Sequence, residues 1–194
     1  MRSSSLIRLG SLAVIVGGVA STMLGLLRVL QTGGVALGSI ENALLKGNYE
    51  NPVLTTLLVG VLAGIAAMHV LQRQHYSLPG ALVSLVALVG VAMTVGANLF
   101  GELVPTMAQL AIILLIVGVL AAFIGVAGLG IVTMNTRVLP RWCGVALVIF
   151  GFLGLPAMLS GGIAWALLGL PWVLVGYALF QAGARLSERP SRVR

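Results

Sequence analysis

Aspartate is absent from this sequence, lysine and cysteine each occur once, and charged residues make up only 8% of its 194 residues. A soluble domain carries roughly 25% charged residues, so this composition cannot cover a water-facing surface. What the chain has instead is apolar, because 59% of its residues are hydrophobic and its mean hydropathy is +1.13. The apolar residues form long uninterrupted runs, which predicts an integral membrane protein built from α-helices.

The scarce residue types also exclude several kinds of chemistry. Cys143 alone cannot form an internal disulfide or a multi-cysteine metal site. Without aspartate there is no intramembrane aspartyl pair, and the lone lysine, Lys46, lies in a polar connection rather than in a span. His69 and His75 are six residues apart and do not share a helix face, and HExxH and Walker A patterns are absent. The sequence therefore predicts no enzyme, no cofactor and no metal site.

Six apolar runs are each long enough to cross a bilayer, which takes about 20 residues. We predict an all-α polytopic transmembrane bundle of six helices, with spans at approximately 9–30, 53–71, 79–100, 107–133, 142–159 and 163–182 and a basic tail over 183–194. A cleaved signal peptide is the alternative interpretation of the first run, since Gly18-Val19-Ala20 resembles a cleavage site. The run stays apolar as far as Leu27, however, which favours a span.

Basic residues are divided unequally between the two sides of the predicted bundle. With six spans, nine of the eleven fall on the side that holds both termini, and Arg73, Arg137 and Arg141 are the residues in turns that set this topology. Arg28 and Lys46 fall on the other side. Positive charge accumulates at cytoplasmic helix ends, so we expect both termini in the cytoplasm and the chain in the plasma or inner membrane. The same rule accounts for the net charge of +7 without a nucleic acid partner.

A candidate polar site lies at the opposite, outer end of the predicted bundle. Asn98 and Glu102 are four residues apart and share a helix face, while Gln109 begins the next span and Arg28 ends the first. We predict that these four residues form a polar cluster covered by an amphipathic helix at 40–46. The alternative is that each side chain extends to water independently.

Glycine occupies 26 of the 194 positions, although about 7% is usual. Small residues let helices approach closely in lipid, where apolar side chains gain little by associating. The candidate helix-packing residues are Gly60, Gly64, Gly118, Ala122 and Gly125. They can serve contacts inside the bundle or contacts with another membrane protein or a second copy. A repeated Leu-Pro followed by glycine, at 78–90 and 139–151, predicts three helical hairpins made of helices 1–2, 3–4 and 5–6.

The turn Arg137-Val138-Leu139-Pro140-Arg141-Trp142, followed by a span rich in glycine and leucine, is similar to a basic turn in small bacterial integral membrane proteins of an uncharacterised domain-of-unknown-function family. The resemblance implies a six-helix bundle, but it does not indicate any activity.

The sequence is compatible with two functions for a protein that contacts the lipid bilayer. We expect a structural or accessory subunit that packs against other membrane proteins through glycine-rich faces. The alternative is a binder or carrier of a small lipophilic molecule in an apolar cavity between helices.

Overall fold

Six α-helices make up nearly all of the part of the chain that the structure, a computed structural model, describes: residues 2–32, 50–103, 108–160 and 163–188. The helices are α1 Arg2–Thr32, α2 Glu50–Gln72, α3 Leu78–Leu103, α4 Ala108–Thr136, α5 Arg141–Ser160 and α6 Ile163–Glu188. A short 3-10 turn, Arg73–His75, follows α2, and the described ranges contain no strand. The all-helical architecture predicted from composition is therefore confirmed.

Proline residues mark the starts of two of these helices. Pro79 is the second residue of α3, where its missing N–H costs nothing and its fixed φ suits a helix. Pro140 comes directly before α5, and its carbonyl accepts a hydrogen bond from the Cys143 N–H at 3.0 Å. Because a proline disfavours helix at the residue before it, α4 ends ahead of Leu139 and a compact turn joins α4 to α5.

Four of the described helices contain stretches that are long and apolar enough to cross a membrane. These stretches are Ser4–Leu27, Thr55–His75, Leu78–Leu99 and Gln109–Thr136, and a shorter apolar stretch covers Arg141–Gly154. Their outward faces carry large exposed apolar side chains, such as Leu9 at 65% and Ile124 at 69% exposure. Such faces need lipid as their solvent, so the fold is a helical membrane bundle.

The helices form a closed ring in chain order, since each packs against the next and α6 packs against α1. Contacts are extensive between α1 and both α2 and α6, and between α4 and both α3 and α5. Contacts are much fewer at two of the helix interfaces, which we call the α2–α3 seam and the α5–α6 seam. The bundle therefore consists of two three-helix halves, α6-α1-α2 and α3-α4-α5. This division differs from the predicted hairpins, because α5 and α6 share only a thin seam.

Small residues produce the close contacts within each half. A Cβ added to Gly60 would lie 2.5 Å from the carbonyl oxygen of Ala13, and one on Gly64 would lie 3.0 Å from the Val14 side chain. These two glycines thus lie in the α1–α2 contact, where side chains larger than hydrogen have no space.

The small residues of α4 face α3 in the same way. A Cβ on Gly118 would lie 2.9 Å from Thr94, and one on Gly125 would collide with the backbone of Ala87. The Ala122 backbone lies against Gly90 of α3. The whole small-residue stripe of α4 is thus occupied inside the bundle.

The helices extend beyond the predicted spans at both termini. α1 begins at Arg2 instead of 9, and α6 continues to Glu188, so the first residues of the predicted tail are helical. The reason is a contact between the two ends, because Gly183 of α6 lies against Ile7 and Arg8 of α1. Ile7 is 1% exposed and is part of the buried interior.

Candidate functional site

The predicted outer polar cluster is described only in part. The side chains of Arg28 and Glu102 and the whole 40–46 segment lie outside the described residues. Asn98 donates a hydrogen bond from Nδ2 to Thr55 Oγ1 at 2.7 Å, which joins α3 to α2. Gln109 is exposed. The cluster therefore stays a prediction. The described partner of Asn98 is Thr55, which was not among the predicted cluster residues.

A buried polar pair lies at the other end of the bundle, and the sequence reasoning missed it. Gln72 is 0% exposed, and its Nε2 donates to Thr133 Oγ1 of α4 at 3.1 Å. The Thr133 hydroxyl in turn donates to the Leu129 carbonyl at 2.8 Å. A buried amide without a partner would cost roughly 1–3 kcal/mol, so this pair fixes the position of α2 against α4.

A second set of polar groups lies beside that pair in the α2–α3 seam. His69 Nδ1 is 2.9 Å from Ser84 Oγ, and the His69 and Tyr76 rings are 5.5 Å apart. Burial raises the pKa of the Tyr76 hydroxyl, and the Ser84 hydroxyl partly opposes that shift. With Asn98–Thr55 at the opposite end, the α2–α3 seam is held by hydrogen bonds near both of its ends.

The residues predicted to set the topology lie on the surface at the end of the bundle that holds the start of α1. Arg73, Arg137 and Arg141 are all exposed, at the end of α2 and in the α4–α5 turn. Arg8 near the start of α1 and Arg185 near the end of α6 lie at this same end. Every charged side chain that the structure describes is thus an arginine at one end of the bundle.

Metal binding finds no support among the described side chains, where no three His, Cys, Asp or Glu residues come together. Cys143 is buried and unpaired in α5. In the α2–α3 seam the Ser84 hydroxyl contacts the His69 imidazole, but Ser84 is 0% exposed and so is closed to a substrate. The Tyr76 hydroxyl beside them is buried without a hydrogen-bond partner among the described residues. This arrangement is suited to holding helices together.

A concave site lies at the α5–α6 seam. A groove with a volume of about 240 Å³ opens there between the two helices. It is lined by Ile149, Phe150, Leu153, Gly154, Leu168, Leu170 and Pro171. None of these described lining residues has a polar side chain, so they can recognise a ligand by shape and apolar surface. We call this space the lateral groove.

A smaller cavity of about 50 Å³ lies in the centre of the ring, where the two halves meet. Side chains from α2 to α6 line it, among them Leu57, Val91 and Phe123. Thr94, the single polar residue among the described residues that line it, donates its hydroxyl to the Gly90 carbonyl at 2.9 Å. Since that hydroxyl is already bonded within its own helix, the central cavity is apolar in character.

Phe150 and Leu168 line both the lateral groove and the central cavity, so they form a wall shared by the two spaces. Phe150 lies in a row of three aromatic rings, 5.4 Å from Phe123 and 5.3 Å from Trp172 between ring centroids. Pro171, in the interior of α6, also lines the groove. Proline cannot donate a hydrogen bond to the carbonyl one turn earlier, so α6 lacks one backbone hydrogen bond beside the groove.

No family model, curated protein or solved structure matches this chain. The similarity of the Arg137–Trp142 turn to a family of bacterial membrane proteins therefore stays a prediction.

Proposed function

We propose that the chain is a six-span protein of the plasma or inner membrane, with both termini in the cytoplasm, that binds a small lipophilic molecule in the lateral groove. The observation that carries the proposal is the groove between α5 and α6, whose described lining residues are all apolar and which shares a wall with the central cavity. In a bilayer such a groove faces lipid, so an apolar molecule can enter it directly from the membrane.

The volume of the lateral groove is large enough for a ligand bigger than a single gas atom. An engineered protein cavity of about 150 Å³ lined by Leu, Ile and Phe stays dry and binds benzene. The lateral groove, at about 240 Å³, exceeds that volume, whereas the central cavity, at about 50 Å³, does not reach it. The ligand therefore occupies the groove, and it reaches the centre of the bundle only if the shared wall moves.

The accessory-subunit interpretation has weaker support from the packing. It needs glycine-rich faces that are free to bind another membrane protein. Gly60 and Gly64 are used against α1, and Gly118 and Gly125 are used against α3. Gly96 on α3 is different, because a Cβ there would meet nothing within 4 Å, but one such glycine among those that the structure describes does not make an extended face.

Retention of apolar molecules during purification tests the proposal. The double variant Ile149→Phe/Leu153→Phe adds volume at two residues that line the groove. Its matched control, Ile112→Phe/Ile116→Phe, also replaces two branched aliphatic residues by phenylalanine at the same spacing, on exposed positions of α4. We expect mass spectrometry of extracts to find an apolar molecule with the wild type and the control, and to find less of it, by about tenfold, with the groove variant. Equal amounts in all three would contradict ligand binding in the groove.

The topology is tested separately with reporter fusions. A reporter placed after Arg194 should report the cytoplasm, and one placed within Asn48–Asn51 should report the opposite side, because an odd number of spans separates them in the six-span topology. A result that puts both reporters on the same side would rule out six spans.

A further inference from the structure

Trp172 carries a buried polar group without a hydrogen-bond partner in the described part of the chain. It is 0% exposed, and no atom of the described residues accepts a hydrogen bond from its Nε1. A buried tryptophan usually finds a partner for its N–H, and leaving the group unsatisfied costs roughly 1–3 kcal/mol. The indole therefore holds an unused hydrogen-bond donor deep in an apolar environment.

This donor lies next to the wall that separates the groove from the central cavity. Trp172 follows Leu168 by four residues, so the two share one face of α6. Its ring meets Phe150 edge to face, with centroids 5.3 Å apart and an angle of 77°. Leu168 and Phe150 are the two residues that line both spaces, and Pro171, directly before Trp172, lines the groove. An aromatic ring accepts an N–H only weakly, so the contact with Phe150 leaves the donor available.

We propose that the ligand of the lateral groove is a neutral, mainly apolar molecule with one hydrogen-bond acceptor, such as a ketone oxygen, and that Trp172 Nε1 donates to it. This inference rests on the proposed function, since it specifies the class of ligand. A pure hydrocarbon would leave the indole N–H unsatisfied. A carboxylate would be a costly ligand, because the described residues that line the groove include no charged or polar side chain to offset the loss of hydration.

The geometry also indicates how the contact forms. Trp172 itself does not line the groove, whereas Phe150 and Leu168 do. The acceptor therefore reaches Nε1 when the shared wall turns aside, which joins the groove to the 50 Å³ central cavity. Phe150 and Leu168 are thus the residues that decide how deeply a ligand enters.

Two probes of equal chain length, dodecane and dodecan-2-one, test the inference on the full chain in detergent. Trp142→Phe and Trp165→Phe leave Trp172 as the sole tryptophan, so its fluorescence reports its surroundings. We expect dodecan-2-one, and not dodecane, to shift the Trp172 emission to longer wavelength. We also expect the ketone to bind the wild type about 2- to 10-fold more tightly than the alkane, measured by thermal stabilisation and expressed relative to Trp172→Phe.

The possible outcomes separate this inference from the proposed function. Binding of both probes with equal affinity and no emission shift would overturn the inference and leave an apolar site in place. A ketone preference that persists in Trp172→Phe would overturn it as well. Failure of both probes to bind would reject the site itself. If Trp172→Phe does not fold, the emission shift in the single-tryptophan protein decides, and loss of that shift in Ile149→Phe/Leu153→Phe locates the probe in the groove.

Discussion

Among the residues that the structure describes, Arg137 is the one non-glycine residue with a left-handed backbone. Its φ of 55° lies in the left-handed region, directly after α4 ends at Thr136. Glycine usually occupies this position after a helix, because a side chain there costs roughly 1–2 kcal/mol. The turn is held by its neighbours, since Leu139 is 3% exposed and packs into the hydrophobic core. Arg137 therefore adds its charge to the basic end of the bundle although its backbone conformation is strained.

Substitutions at Arg137 should separate backbone strain from charge. We expect Arg137→Gly to keep or raise the free energy of unfolding, by up to about 1 kcal/mol, because glycine adopts this φ without strain. Arg137→Val should lower it by about 1–2 kcal/mol, since a β-branched residue is poorly tolerated there. Arg137→Asn, which also removes the charge but tolerates the left-handed region, is the control. Unfolding in detergent measures all three, and a valine variant as stable as the glycine variant would show that this backbone is not strained.

At the scale of elements, the helices are held together in two different ways. Glycines bring α1 close to α2 and α3 close to α4, where backbones touch and dispersion contacts are dense. Hydrogen bonds join α2 to the other half, through Asn98–Thr55 and His69–Ser84 in the α2–α3 seam. Contacts are thin at the α5–α6 seam, where the lateral groove lies. The bundle is therefore easiest to open at the groove.

A pair of matched glycine variants tests the close contacts. Gly60→Leu should lower the stability by about 1–3 kcal/mol or more, because its side chain would run into the Ala13 carbonyl. Gly96→Leu should be neutral or stabilising by up to about 1 kcal/mol, since the position is open and leucine is the better helix former. Thermal unfolding in detergent gives both values. Equal effects at the two positions would contradict the described α1–α2 contact.

The sequence was sufficient to predict the helices and their order. Apolar runs separated by Pro79, Pro140 and short polar turns give six helices whose cores agree with the structure. Local patterns could not predict the partners across the ring. Gln72 and Thr133 are 61 residues apart, and each is an unremarkable polar residue near a predicted helix end. The lateral groove also escaped prediction, because it depends on how α5 and α6 pack against each other. Such features arise from tertiary packing, which helical periodicity does not encode.

For the whole molecule, the two thin seams give the ring a polar side and an apolar side. The polar α2–α3 seam is held by hydrogen bonds, which are expensive to break where water is excluded. Separating α5 from α6 costs little free energy, because contacts between their apolar side chains are replaced by contacts with lipid. A molecule that dissolves in the bilayer would therefore enter laterally between α5 and α6. The arginines at one end of the bundle would hold it at a fixed depth in the membrane.

Photolabelling with a dodecane that carries a diazirine tests the central claim most directly, because it reports where an apolar ligand rests on the intact protein in membranes. We predict that peptide mapping finds the label concentrated on the groove residues Ile149, Leu153 and Leu170. Excess unlabelled dodecane should suppress this labelling, and the Ile149→Phe/Leu153→Phe variant should lose it. Labelling spread evenly over lipid-facing residues such as Ile112 and Ile116, without competition, would contradict a ligand site in the lateral groove.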